Sequence, residues 1–258
     1  MANYDIIGNA AIVKFKLGEK AEKKKKFAIK FLKEHKNIRT VLEKMGRFKG
    51  RLRIQETRHI AGDKTKEVLY RENDCIFRLN IDSCYFSPRL ASERREIAGI
   101  VKKNEEVLVM FGGVAPFAIV IGKLSKARRI VSVELGRECS KYAIENVKRN
   151  KLGEKIEIVQ GDVRKVIGKG KIKEKFDRIV MARPNLKDSF LDVAFPVVKK
   201  GGIIHYYGFY KEDEVNEIKE LIKREAGKAK RRIKILKIKK VGEIGVRKYR
   251  YRVDIKIS

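Results

Sequence analysis

The sequence is poor in the residues that usually carry metal, disulfide and redox chemistry. Its three cysteines, Cys75, Cys84 and Cys139, are scattered, odd in number and without a CxxC pair. That excludes a disulfide framework or a zinc site and points to a reducing, cytoplasmic setting. Three isolated histidines leave no His-based metal centre to expect. No apolar run approaches the ~20 residues a membrane helix needs, so no bilayer span is expected. The opening MANYDIIGNAAIVKF lacks the charged start and apolar core of a secretory signal. There is neither a GxGxxG nor a GxxxxGK[ST], so the usual phosphate-binding loops are missing. Tryptophan is absent, and acid is scarce: 33 Asp and Glu stand against 64 Lys and Arg.

That imbalance is the strongest compositional signal. A net charge of +31 attracts a polyanion over long range. A thermophile's lysine-rich usage normally comes with matching glutamate, which this chain does not have. An acidic membrane surface is the weaker rival, since no amphipathic anchor is evident. Nucleic acid is the expected partner. With 258 residues and 43% hydrophobic content, the chain can bury one large domain, or one domain with a smaller companion.

The pattern divides near residue 84. Before it, AAIVKF, RTVLEK, FKGRLRIQE, EVLYREN and CIFRLNI read as short strands. EKAEKKKKFAIKFLKEH reads as a basic helix offering Phe27, Ile29, Phe31 and Leu32 to a core, with the lysine run 23–26 as a solvated face. Residues 1–84 are thus expected to form a small α+β domain. From there to 258 helix and strand alternate: SERREIAGIVKK, then VLVMF, PFAIVIGKL, RIVSVEL, RECSKYAIENVKRN, KIEIVQGD, FDRIVMA and GIIHYYGF. Such alternation predicts a parallel, doubly wound α/β sheet. A further helix and two alternating runs, RRIKILKIKKVG and VRKYRYRVDIKIS, predict an antiparallel edge guarded by lysine and arginine.

Residues 107–117, VLVMFGGVAPF, place a glycine pair between the first parallel strand and its helix. In an open sheet the ligand lies beyond the carboxyl ends of the strands, where strand order reverses. The next strand ends on Glu134, about 20 residues on, suited to two ribose hydroxyls; a surface cap is the plain alternative. The third ends at Asp162, placed to accept from an adenine amino group, with Val163 beside the ring. No phosphate-binding lysine or third fingerprint glycine follows, which disfavours NAD. This series resembles the class I, Rossmann-like S-adenosylmethionine methyltransferases. The resemblance implies that cofactor, held by Phe86, Phe111, Gly112, Gly113, Val114, Glu134, Asp162 and Val163.

YFSPRLASER at 85–94, preceded by FKGRLRIQETRHIAGDKT and RENDCIFRLNIDSC, narrows the substrate. Over essentially the whole chain these segments resemble the archaeal and eukaryotic tRNA (guanine-37-N1)-methyltransferases. Related wyosine aminocarboxypropyltransferases carry a different motif in place of Ser87-Pro88-Arg89. The resemblance implies a monomer that needs no metal and methylates N1 of guanosine 37 in the tRNA anticodon loop, with a wyosine precursor as a further substrate. Glu93 is the candidate general base for the N1 proton, with an ordinary first-turn glutamate as the alternative. Arg53 is the candidate donor to O6, with a phosphate contact as the alternative. Tyr85, Arg89, Arg94, Arg183 and Pro184 complete the expected substrate side.

Three positions depart from the family pattern: Val109 replaces an acid, Ala115 a glycine, and Arg183-Pro184 an Asn-Leu-Pro-like motif. The family's small tRNA-elbow domain is not represented. The alternatives are aminocarboxypropyl transfer and a catalytically weak tRNA-binding protein of the same fold.

Overall fold

The computed structural model describes residues 3–46, 50, 54–168, 170–183 and 185–258. Strands β1 (Asn3–Ile7), β2 (Ala10–Lys14), β3 (Thr40–Lys44) and β4 (Thr57–Gly62) make one sheet in that order. Helix α1 (Ala21–Glu34) is the crossover between parallel β2 and β3. It packs through Ala28 and Phe31, three residues apart and so on one face. Ile29, expected in the core, is 43% exposed because it points away from that stripe. Lys23, Lys25 and Lys26 are exposed, and Lys24 turns back to Glu43 at 2.6 Å. The strand expected in FKGRLRIQE falls largely outside the described residues.

Strands β5 (Glu67–Glu72) and β6 (Cys75–Asn80) form a separate hairpin. Its two-residue turn, Asn73-Asp74, has positive φ at both positions (48° and 58°), the twist-matched hairpin turn. Two asparagines of α4 (Arg137–Arg149) and its C-terminal cap complete the edge of β6. The Asn150 amide accepts from Ile76 N–H (2.9 Å) and donates to Ile76 C=O (2.7 Å). Asn146 does the same with Arg78, at 2.7 and 2.9 Å. The spacing explains the match: four helical residues rise about 6 Å, and two strand residues span about 6.6 Å.

The large sheet collects β7 (Glu106–Met110), β8 (Arg129–Glu134), β9 (Ile156–Gln160), β10 (Phe176–Met181), β11 (Val198–Lys211), β12 (Ile233–Gly245) and β13 (Lys248–Ile257). Their order is β12-β13-β11-β10-β7-β8-β9, parallel from β11 to β9 and antiparallel at β13 and β12. Helices α2 (Ala91–Ile100), α3 (Pro116–Leu124), α5 (Val163–Val166), α6 (Leu191–Val197) and α7 (Val215–Lys228) complete the layers. Strand β7 is apolar from Val107 onward because both faces are covered. Val107 and Val109 enter one core cluster, Leu108 and Met110 the other. Val109, where an acid was expected, is fully buried in register with Val180 and Ser132. The chain runs outward through β7, β8 and β9, then returns to place β10 on the other side of β7. The reversal therefore lies between β7 and β10.

Candidate active site

A cavity opens at that reversal, above the carboxyl ends of the parallel strands. The glycine turn forms its floor. Phe111 leaves β7 with φ 63°, Gly113 follows with φ 57°, and Ala115 has φ 66° immediately before Pro116 starts α3. Gly112 is required for space rather than for φ. A Cβ there would lie 2.2 Å from Ser132 Oγ on the neighbouring strand. Ala115 holds a left-handed conformation that a glycine adopts without cost, at about 1–2 kcal/mol of local strain.

Glu134 sits where β8 ends. Its Oε2 accepts from Gly113 N–H at 2.7 Å and its Oε1 from Gly136 N–H at 2.6 Å. Burial raises its pKa above the usual carboxylate range, against the lowering effect of these backbone donors. Two oxygens carry about four acceptor sites, so lone pairs remain for a ribose diol. Asp162 caps α5, accepting from Arg164 N–H at 3.0 Å, with Val163 and Leu135 beside it in the cavity wall. Phe86 and Phe111 also line the cavity. Phe86 packs edge-on to Tyr70 at 5.0 Å, and Phe111 packs on Phe190 at 5.0 Å. Val114 is a correction: it is fully buried in the core beneath the turn and does not line the cavity. Cys139 lines it too, but a hydrogen bond with Cys84 and burial push its thiol far up, leaving no thiolate.

Tyr85 and Arg183 also line the cavity. Arg183 is buried, its guanidinium donating to Leu186 C=O at 2.9 and 3.1 Å and lying 5.4 Å from the Tyr206 ring. The segment after it is tied down by Arg164, which pairs with Asp188 (2.7 Å) and Asp192 (2.6 Å). Arg94 lines the cavity, but its guanidinium is committed to Glu72 through two bonds of 2.5 Å and is 1% exposed, so it is a structural ion pair. Arg89 lies away from the cavity, exposed and 2.7 Å from Asp5. Arg53 and Pro184 lie outside the described residues.

Glu93 lies outside the cavity lining. An accessible carboxylate at the target base is not what the structure holds: Glu93 is 3% exposed and absent from the cavity lining. Its Oε1 accepts from the Tyr207 hydroxyl at 2.7 Å and from Arg252 at 2.7 Å, and Lys239 approaches at 3.3 Å. Arg252 also donates to Glu96 (2.8 Å) and Asp254 (3.2 Å), completing a buried charge cluster between α2 and the antiparallel strands. Burial would raise the Glu96 carboxyl, but Lys239 and Arg252 outweigh it and hold its pKa at about 2. Tyr207 does line the cavity. Burial and the adjacent Glu93 push its hydroxyl well above its ordinary range, so it remains a proton donor to that carboxylate. Tyr207, Phe209 and Arg250 form a wall that the sequence reading missed. Tyr207 and Phe209 share a face of β11, and the pairing with β13 brings Arg250 to them.

A doubly wound sheet with a glycine turn, a ribose-type carboxylate at the second strand end and no phosphate loop defines a class I methyltransferase fold. The chain belongs to the TRM5/TYW2 methyltransferase family: residues 68–236 match its methyltransferase domain, and residues 1–65 match the TYW2 N-terminal domain. It is 34% identical over 257 residues to the tRNA (guanine(37)-N(1))-methyltransferase Trm5b of Pyrococcus abyssi, covering 99% of this chain and 75% of that one. The crystal structure of that Trm5b aligns with a TM-score of 0.87 at 33% identity, over 99% and 75% of the two chains. The Nanoarchaeum equitans tRNA (guanine(37)-N(1))/4-demethylwyosine(37)-methyltransferase Taw22 is 33% identical, over 98% of this chain and 99% of its own. A solved complex of aTrm5 with tRNALeu aligns with a TM-score of 0.86 at 28% identity, over 99% and 72% of the chains.

Proposed function

We propose that this protein transfers a methyl group from S-adenosylmethionine to N1 of guanosine 37 in the tRNA anticodon loop. The observation that carries the reading is the cavity at the strand-order reversal. Its nucleoside side is built around Glu134 and lacks a phosphate cradle, in a chain similar to Trm5b along nearly its whole length. The residues fit the cofactor: Glu134 offers acceptors to a ribose diol, Asp162 an acceptor beside apolar Val163 and Leu135, and Phe86 and Tyr85 a flat wall. When bound, the cofactor supplies a methyl group on a cationic sulfur, so no metal is needed for the transfer.

The chain's own work is orientation and proton removal. A guanine splayed out of the anticodon loop presents N1 with its proton, which must leave as the new bond forms. Glu93 is the acceptor, reached through Tyr207: the hydroxyl takes the N1 proton as it passes its own to Oε1. Arg53 remains the proposed donor to O6 and Arg183 a contact to the target nucleotide. The +31 charge supplies affinity for the tRNA backbone. Residues 1–84 serve tRNA and base recognition and 85–258 catalysis, in a cytoplasmic monomer. A wyosine precursor at position 37 is a second substrate, a reading favoured by the similarity to Taw22.

The test is transfer of radiolabelled methyl to tRNA transcripts carrying G or A at position 37. Label on the G transcript alone supports the proposal. Stable binding without transfer to either would replace it with a tRNA-binding role, and label arriving only from the aminocarboxypropyl carbon would replace it with the wyosine-pathway reaction.

A further inference from the structure

Three arginines line the cavity, and two are engaged by protein groups: Arg94 by Glu72 and Arg183 by the Leu186 carbonyl. The third, Arg250 on β13, is different. Among the described residues no carboxylate pairs with it, although the more deeply buried Arg94, Arg178 and Arg252 each hold at least one. Its guanidinium carbon lies 5.1 Å from the centre of the Phe209 ring, and both residues are half-buried. They are direct cross-strand partners in the β11–β13 ladder, so the stacking follows from the register. Met181, the last residue of β10, pairs with Tyr206. Phe209 therefore stands three residues, about 10 Å, beyond the carboxyl edge of the parallel strands. The pair is thus a planar cation, steadied on an aromatic ring, in the wall of a nucleoside cavity.

We propose that Arg250, held on Phe209, reads the O6/N7 edge of the target guanine, sharing the two lone pairs of O6 with the donor proposed at Arg53. The inference rests on the guanosine-methylating reading above. A guanidinium fork matches the adjacent O6 and N7 acceptors of guanine, whereas adenine places an amino donor in the O6 position. Attack by N1 directs the Watson–Crick edge of the base toward the methyl donor and leaves the Hoogsteen edge, with N7 and the O6 that both edges share, at the flank for the protein. As N1 loses its proton, negative charge gathers on O6, and a cation there counts for more in the transition state than before it. Stacking on Phe209 restricts the guanidinium plane, so less freedom is lost on binding.

The test pairs a protein change with a substrate change. Wild type and Arg250→Lys are assayed on tRNA carrying guanosine or 7-deazaguanosine at position 37, with tRNA affinity measured across a salt series. Loss of N7 removes one of the two bonds and should lower wild-type kcat/KM roughly 2- to 13-fold, about half the free energy of a bidentate base contact. In Arg250→Lys that sensitivity should collapse toward one, with the salt slope of tRNA binding unchanged. Phe209→Leu should reduce the sensitivity partway. The inference is overturned if the 7-deaza penalty persists in Arg250→Lys. It is equally overturned if Lys restores full activity while Arg250→Ala weakens all transcripts alike and lowers the salt slope by about one, as a phosphate contact would. Failure of wild type to methylate the guanosine transcript removes the parent reading and this one with it; a methylating wild type with an insensitive N7 removes this one alone.

Discussion

Replacing Glu93 with glutamine separates the structural and chemical roles of that carboxylate. The side chain accepts from Tyr207, Arg252 and Lys239 in a setting only 3% exposed. Breaking a buried ion pair outright costs about 3–5 kcal/mol. Here Arg252 keeps Glu96 and Asp254, and glutamine keeps one acceptor oxygen. Each charge-assisted bond reduced to a neutral one loses about 1 kcal/mol. The expected destabilisation is therefore about 2–3 kcal/mol, or a fall in Tm of about 4–12 °C for a chain of this size. With a typical total stability of about 5–15 kcal/mol, nearly all molecules remain folded well below Tm. Single-turnover methylation at such a temperature then reports chemistry alone. Proton transfer to Glu93 predicts a loss of about 10²–10⁴-fold in that rate, with tRNA affinity little changed. Tyr207→Phe, which keeps the ring, should lose rate in the same direction with a smaller fall in Tm. A full rate in folded Glu93→Gln would refute the proton path, and an unchanged Tm would refute the account of the buried cluster.

Cofactor affinity should fall on acidification from a higher pH than an ordinary glutamate dictates, because burial raises the Glu134 pKa and protonation removes the charge and one of the acceptor oxygens offered to a ribose diol. Titration calorimetry with S-adenosylhomocysteine from pH 7.5 downward measures this, and Glu134→Gln should flatten the profile. For the unliganded protein the sign is opposite: a raised carboxyl pKa contributes stability below its unfolded value that is lost as pH rises through the folded value. Ala115→Gly should raise stability by up to about 1 kcal/mol, since release of left-handed strain exceeds the added chain entropy; a lower Tm would show that the Ala115 methyl contributes more by packing. Asn146→Ala leaves the Arg78 N–H and C=O unpaired and should cost about 1–3 kcal/mol in denaturant unfolding.

The parallel half of the molecule was legible because burial on both faces leaves unmistakable apolar runs, VLVM and RIVSV, ended by glycine or by a carboxylate. The nucleoside side followed, since Glu134 and Asp162 sit at strand ends that order alone locates. Strands β1 and β4 were not legible. Four of the five residues of NYDII are exposed, and TRHIAG has only Thr57 buried, so pairing rather than pattern makes them strands. The burial of Glu93 depends on Arg252, 159 residues away, and the Phe209–Arg250 wall depends on an antiparallel register. Local sequence carries neither fact. Val114 was misplaced for a simpler reason: a turn residue next to a ligand can point into the core beneath it.

The two asparagines that finish the edge of β6 also make the hairpin depend on α4. A two-stranded hairpin is marginal alone, and here its outer partner is not a strand but side chains that align only once α4 is wound. The helix therefore supplies the surface on which the edge of β6 docks. Tyr85 and Phe86 follow that hairpin by a few residues and wall the cavity. The cavity wall on this side is thus anchored, through the hairpin, by two asparagine amides on the far side of β6.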